Sequence, residues 1–139
     1  MVYDYYGFPK LAYKIDYPAL GHPALANKIV ELLGENILIL GSGFSFHNQN
    51  AFFGGELGAP DSKNDAFHNW LIETCTEPMS QPEREQRLSE WEKAPSARYC
   101  HPREEHLLPL HICLGMAGKP AKVAFDDQIL GKRSVAFLW

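Results

Sequence analysis

The stretch Asn36-Ile37-Leu38-Ile39-Leu40-Gly41-Ser42-Gly43 is a short unbroken apolar run closed by two glycines. Such a run suits a strand buried on both faces. Just upstream, Leu25, Ile29, Leu32 and Leu33 recur at helical spacing between Pro23, fit for a first turn, and Gly34, fit for a C-terminal cap. A helix feeding a buried strand is the order of an α/β layer. The expected fold is therefore α/β, a mixed β-sheet flanked by helices.

Working outward, Phe67, Trp70, Leu71 and Thr74 mark a second amphipathic helix. Ser80 with Glu83 resembles a capping box opening a charged helix that reaches about Trp91, whose alternating Glu and Arg residues read as a solvated face. Leu107, Leu110 and Leu114 give a further helical stripe; Pro109 lacks an amide N–H, so this helix should begin near His106 with Pro109 in its first turn. Lys122–Phe125 and Ser134–Leu138 carry strand-like content and predict a late hairpin or edge pair. The aromatic opening, Tyr3 to Pro9, reads as an extended or loop segment.

The 139 residues fit one domain, 1–139, with enough apolar content (45 %) to build a core. A formal charge of −4 gives no electrostatic reason to bind nucleic acid or anionic lipid. No apolar run approaches a bilayer span, and residues 1–10 lack the pattern of a signal peptide, so a cytoplasmic protein is expected. Three cysteines without CxxC spacing speak against a disulfide framework or a structural zinc site.

Chemistry points to histidine, of which there are six, with His47, His101, His106 and His111 around two segments. Neutral imidazoles suit a redox iron or a catalytic zinc. Yet no HExxH occurs, and the five-residue step from His106 to His111 turns a helix by roughly 140°, sending the two rings to different sides. His101 and His106 converge only if Pro102-Arg103-Glu104-Glu105 folds back as a turn. His47 follows the predicted strand and its glycine turn, where α/β sheets present ligand-facing residues, and is a candidate acid or base. The Gly41-Ser42-Gly43 turn itself matches neither a Walker nor a dinucleotide pattern. Tyr5, Tyr6, Phe8, Phe44 and Phe46 read either as walls of an aromatic pocket or as core.

Taken together, Tyr3 to Pro9, Tyr17-Pro18-Ala19-Leu20-Gly21, Gly41-Ser42-Gly43 through His47-Asn48, Ala94-Pro95, and His101-Pro102-Arg103-Glu104-Glu105-His106-Leu107-Leu108-Pro109-Leu110 resemble the class III extradiol ring-cleavage dioxygenases. The branch they look most like is the DOPA extradiol dioxygenase, or LigB-like, family. The resemblance implies an oxidoreductase that inserts both atoms of O2 into a catechol such as DOPA or protocatechuate, opening the ring. It implies ferrous iron, or zinc in its place, as the metal.

Carried over residue by residue, His106 matches a metal ligand and His47 the acid/base histidine near the substrate. Arg98 and Arg103, with His101 between them, are candidates for substrate binding, the arginines through bidentate hydrogen bonds to a carboxylate. Two further ligands of the family would precede Met1, and a long central stretch of the family would fall between Leu33 and Asn36. The chain thus looks like a shortened version of that fold, whose other metal donors would have to be His22, His101 or His111, or come from a second chain. Loss of central strands should expose sheet edge and apolar surface, so a homo-oligomer is expected. The alternative is a catalytically incomplete remnant acting as a binding or oligomerisation module.

Overall fold

In a computed structural model of the chain, the described residues are Val2–Tyr3, Pro9–Lys10, and residues 39–54 and 58–139. Their elements run β1 (Val2–Tyr3), β2 (Pro9–Lys10), α1 (Gln49–Phe53), α2 (Ser62–Thr76), α3 (Gln81–Ser89), a 3₁₀ turn (Trp91–Lys93), α4 (Ala97–Cys100), α5 (Leu108–Ala117), β3 (Lys122–Ile129) and β4 (Lys132–Leu138). Helices with small sheets are compatible with an α/β class. Among the described residues, however, the sheets are two-stranded and antiparallel, β1 with β2 and β3 with β4, rather than one mixed sheet. The predicted helix over 23–34, Tyr5, Tyr6, Phe8 and strand residues 36–38 lie outside the described residues. The last two residues of that apolar run, Ile39 and Leu40, belong to no strand and are 38 % and 83 % exposed.

α2 lies at the centre of the described core. Asp61 caps it by accepting from the Asn64 amide at 3.1 Å, and Phe67, Leu71 and Cys75 recur at intervals of four to make its buried ridge. Phe46, Leu88, Trp91, Ala97, Cys100, Leu107, Leu114 and Val135 complete the core around that ridge. Asp61 also accepts from Tyr99 Oη at 2.8 Å and Lys132 Nζ at 2.7 Å, tying the helix start to α4 and β4.

α3 starts where the capping pattern places it, with Ser80 Oγ accepting from the Glu83 amide at 3.3 Å. Its charged face is not wholly solvated, as the alternation of Glu and Arg suggests. Arg84 is completely buried, and its guanidinium donates to the carbonyls of Thr74, Glu77 and Met79 at 2.9 to 3.4 Å. Thr74 lies in the last turn of α2, Glu77 caps it and Met79 follows in the connection, so a buried cation gathers carbonyls around the helix end and complements the helix dipole there.

α5 begins at Leu108 with Pro109 in the first turn, and Gly118 ends it with φ of 61°, its N–H bonded to Leu114 O. The hairpin is longer than its apolar content implies. Asp126, Asp127, Gln128, Lys132 and Arg133 all belong to it, with Arg133 gripping Asp126 through two bonds of 2.7 and 2.8 Å. Leu130 and Gly131 turn the chain with φ of 52° and 75°, positive at both positions, the geometry of a two-residue hairpin connection.

Candidate functional site

Residues 41–48 form the backbone of the site, and the glycines in it serve packing. A Cβ built on Gly41 would lie 2.6 Å from Cys113 Sγ and 3.1 Å from the Pro109 carbonyl, and one on Gly43 would collide with the His106 carbonyl. Gly41 and Gly43 thus let this segment lie directly against the start of α5. Further along, His47 N donates to Cys100 O at 2.9 Å, Asn48 Nδ2 to Tyr99 O at 2.7 Å, and His101 Nε2 to Ser45 O at 2.7 Å. Three hydrogen bonds therefore staple 45–48 alongside 99–101. After His101 the chain folds back, with Leu107 N bonded to Glu104 O at 2.8 Å, and returns His106 to His47.

The two rings stack with centroids 3.6 Å apart and planes 19° from parallel. They open on a cleft of about 490 Å³ lined by His47, Asn48, Gln49, Asn50, Pro102, Arg103, Glu105 and His106. On its other side His106 borders an apolar groove of about 550 Å³ between residues 39–45, α5 and β4. Desolvation, and then the neighbouring His106 ring, hold the His47 pKa below its ordinary value, while Glu105 pulls it the other way. A neutral His47 ring at the cleft can accept a proton from a bound hydroxyl.

The other sequence candidates are placed unequally. Arg103 lines the cleft, 80 % exposed at its side chain, and pairs with Glu105 at 2.7 Å. Arg98 is held elsewhere: it lies over the Trp91 ring, pairs with Glu92, and reaches Glu104 at 3.2 Å. His101 is fully buried, its ring set 5.5 Å from Phe67 and 6.0 Å from Trp91, and burial out of contact with the cleft drives its pKa down to about 4. It supports the loop from behind. Phe46 is core, edge-on to Phe52 and Tyr99, whereas Phe44 is 41 % exposed with its ring 6.3 Å from that of His106.

A metal requires converging donors. An imidazole lone pair lies in its ring plane, so two planes stacked 3.6 Å apart do not meet at one ion about 2 Å from each nitrogen; stacked this way, His47 and His106 do not ligate one ion together. His111 offers no help, since it is buried with both ring nitrogens facing carbonyls, Leu107 O at 3.1 Å and Leu88 O at 2.9 Å. His22 lies outside the described residues. Among the described residues no three His, Cys, Asp or Glu side chains gather as a metal-binding group. These residues alone do not fit a complete iron or zinc site.

Sequence reasoning passed over His68. It sits on the apolar ridge of α2 between Phe67 and Leu71 and is fully buried. Its Nδ1 faces Asn64 O and its Nε2 faces Ser45 Oγ, both at 2.9 Å. The signal was there in its spacing, four residues after Asn64 on the buried face, but nothing local distinguishes it from a packed core histidine.

Comparison with known proteins gives a consistent class. The chain is 26 % identical over 208 aligned positions to a 4,5-DOPA dioxygenase extradiol of Beta vulgaris, covering 98 % of this chain and 73 % of the relative. It is 26 % identical to dioxygenase tasH of Hapsidospora irregularis, covering all of this chain and 64 % of that protein. A 4,5-DOPA dioxygenase extradiol of Mirabilis jalapa is 32 % identical over 108 positions, covering 73 % of this chain and 36 % of the relative. No protein-family model matches. These similarities support a family relationship with extradiol dioxygenases. The 208 aligned positions exceed the 139 residues here, so those relatives carry stretches with no counterpart in this chain. Among the described residues no helix is long and apolar enough to cross a membrane.

Proposed function

We propose that the chain carries part of an extradiol dioxygenase site for a catechol, such as DOPA or protocatechuate, opened with O2. The observation that supports this reading is the His47–His106 pair at the cleft, two rings from distant segments brought to 3.6 Å. In it, His47 takes the proton of a catechol hydroxyl and holds it for return to product, while His106 supplies one donor to ferrous iron, or to zinc in its place. The remaining donors must come from beyond the described residues or from a second copy. Arg103, at the cleft rim, meets a substrate carboxylate once it leaves Glu105. A homo-oligomer, a cytoplasmic setting, and a shortened LigB-like domain over 1–139 belong to the same proposal.

A second reading rests on a specific observation: no three-donor group assembles among the described residues. On that reading the chain is an incomplete remnant acting as a binding or oligomerisation module. One experiment separates the two. The purified chain is loaded with ferrous iron under anaerobic conditions, the bound metal is counted, and DOPA or protocatechuate is added with air. A yellow ring-opened product that vanishes in His47→Ala and in His106→Ala supports the enzyme. Metal near zero and no product support the remnant.

A further inference from the structure

We infer that Ser45 and His68 are positioning residues for His47, a buried hydroxyl–imidazole link that sets the register of the loop bearing it against the turn bearing His106. The inference rests on the catalytic reading of His47, but the geometry it concerns exists whether or not that reading holds.

The hydrogen-bond directions follow from chemistry. Asn64 O can only accept, so His68 Nδ1 carries the ring proton, and a neutral ring then presents a bare Nε2. Ser45 Oγ, 2.9 Å away, must donate to it. The same oxygen accepts from Val135 N at 2.8 Å. The Ser45 hydroxyl therefore both donates and accepts, joining α2 to β4, while its carbonyl accepts from His101. His101 has the opposite tautomer, its proton on Nε2. No charged side chain takes part in these four bonds.

The link has work that regular structure does not do. Residues 41–47 are in no helix or strand, and Gly41 and Gly43 leave the upstream backbone without side chains to lock it. On one side the staple to 99–101 holds the loop. On the other, the Ser45 hydroxyl bonds it to α2 and β4, beside the buried Phe46 ring, which lies under Lys132. The turn that carries His106 is held by its own bonds and by α5, and it meets the loop at Gly43, against the His106 carbonyl, and at Phe44 N, which donates to His106 Nδ1 at 3.5 Å. The ring stack thus depends on the register between these two segments, which one weak bond and one backbone contact join directly and which the Ser45 link holds from the α2 and β4 side. Removing the hydroxyl leaves His68 Nε2 and Val135 N unpaired in a buried site and releases the loop from both.

The test reads geometry, not turnover. In full-length protein labelled at histidine, long-range ¹⁵N–¹H spectra should give His68 the Nδ1–H tautomer and His101 the Nε2–H tautomer, with cross-relaxation between ring protons of His47 and His106. Ser45→Ala should abolish that cross-relaxation while the protein stays folded, and Ser45→Thr, which keeps the hydroxyl, should restore it. A folded Ser45→Ala variant that retains the contact overturns the inference, as does a wild-type His68 protonated on Nε2, a measurement that needs no variant to fold. Absence of ring opening by the wild type, with these spectra as expected, would instead count against the catalytic reading alone.

Discussion

Two histidine pairs lie within one small region and are treated oppositely. His68 and His101 are wholly buried, each tied to Ser45, each held neutral by desolvation. His47 and His106 stack at the wall of an open cleft. The residue type is the same; what differs is the company. Phe67 lies 5.8 Å from the His68 ring and 5.5 Å from that of His101, so the buried pair acts as polar packing whose protons are fixed by backbone carbonyls. The open pair keeps ring atoms exposed to the cleft. The outer pair is the one a ligand in the cleft can reach, and the inner pair is held in place by packing and main-chain bonds.

Breaking the inner pair should cost most. Phe67→Ala removes the ring that both buried histidines contact, and is expected to lower stability by about 3 to 5 kcal/mol in urea unfolding. Acid should attack the same pair next. The His101 pKa lies near 4 in the folded chain, below the ordinary 6.5, so between those values the unfolded state holds the extra proton. Stability is then complete above pH 6.5 and falls as pH drops toward 4, by on the order of 3 kcal/mol from this ring. His68 and His111, also shifted down chiefly by burial, act in the same direction. Denaturant midpoints measured at pH 7 and pH 4.5 check this, and an unchanged midpoint would contradict it. The outer face should be nearly indifferent. Arg103→Ala breaks an exposed ion pair with Glu105 and is expected to change stability by less than about 0.5 kcal/mol, while weakening binding of a carboxylate-bearing catechol relative to plain catechol.

The helices after residue 60 were legible because their apolar spacing and caps are local. Phe67 and Leu71, Ser80 with Glu83, and Pro109 near the start of α5 each announce an element without help from elsewhere. The hairpin was read too short since Asp126 to Gln128 look like a loop until Arg133 pairs across from them. Arg84 differs for a related reason: its partners, the carbonyls of Thr74, Glu77 and Met79, lie only a few residues upstream, but they are main-chain groups that no residue type announces and that only the turn from α2 into α3 aims at the guanidinium. At the site, His47 stands out by its place after the glycine turn and His106 by motif resemblance, and only the folded-back turn brings them together. Ser45 and His68, 23 residues apart and joined by one hydrogen bond, carried no local mark at all.

The most direct test of this division is the count of ferrous ions retained per chain after anaerobic gel filtration, compared across variants. Retention in the wild type and in Arg103→Ala, with loss in His106→Ala, is the predicted pattern. Undiminished retention in His106→Ala, or none in the wild type, would contradict the role assigned to the outer pair.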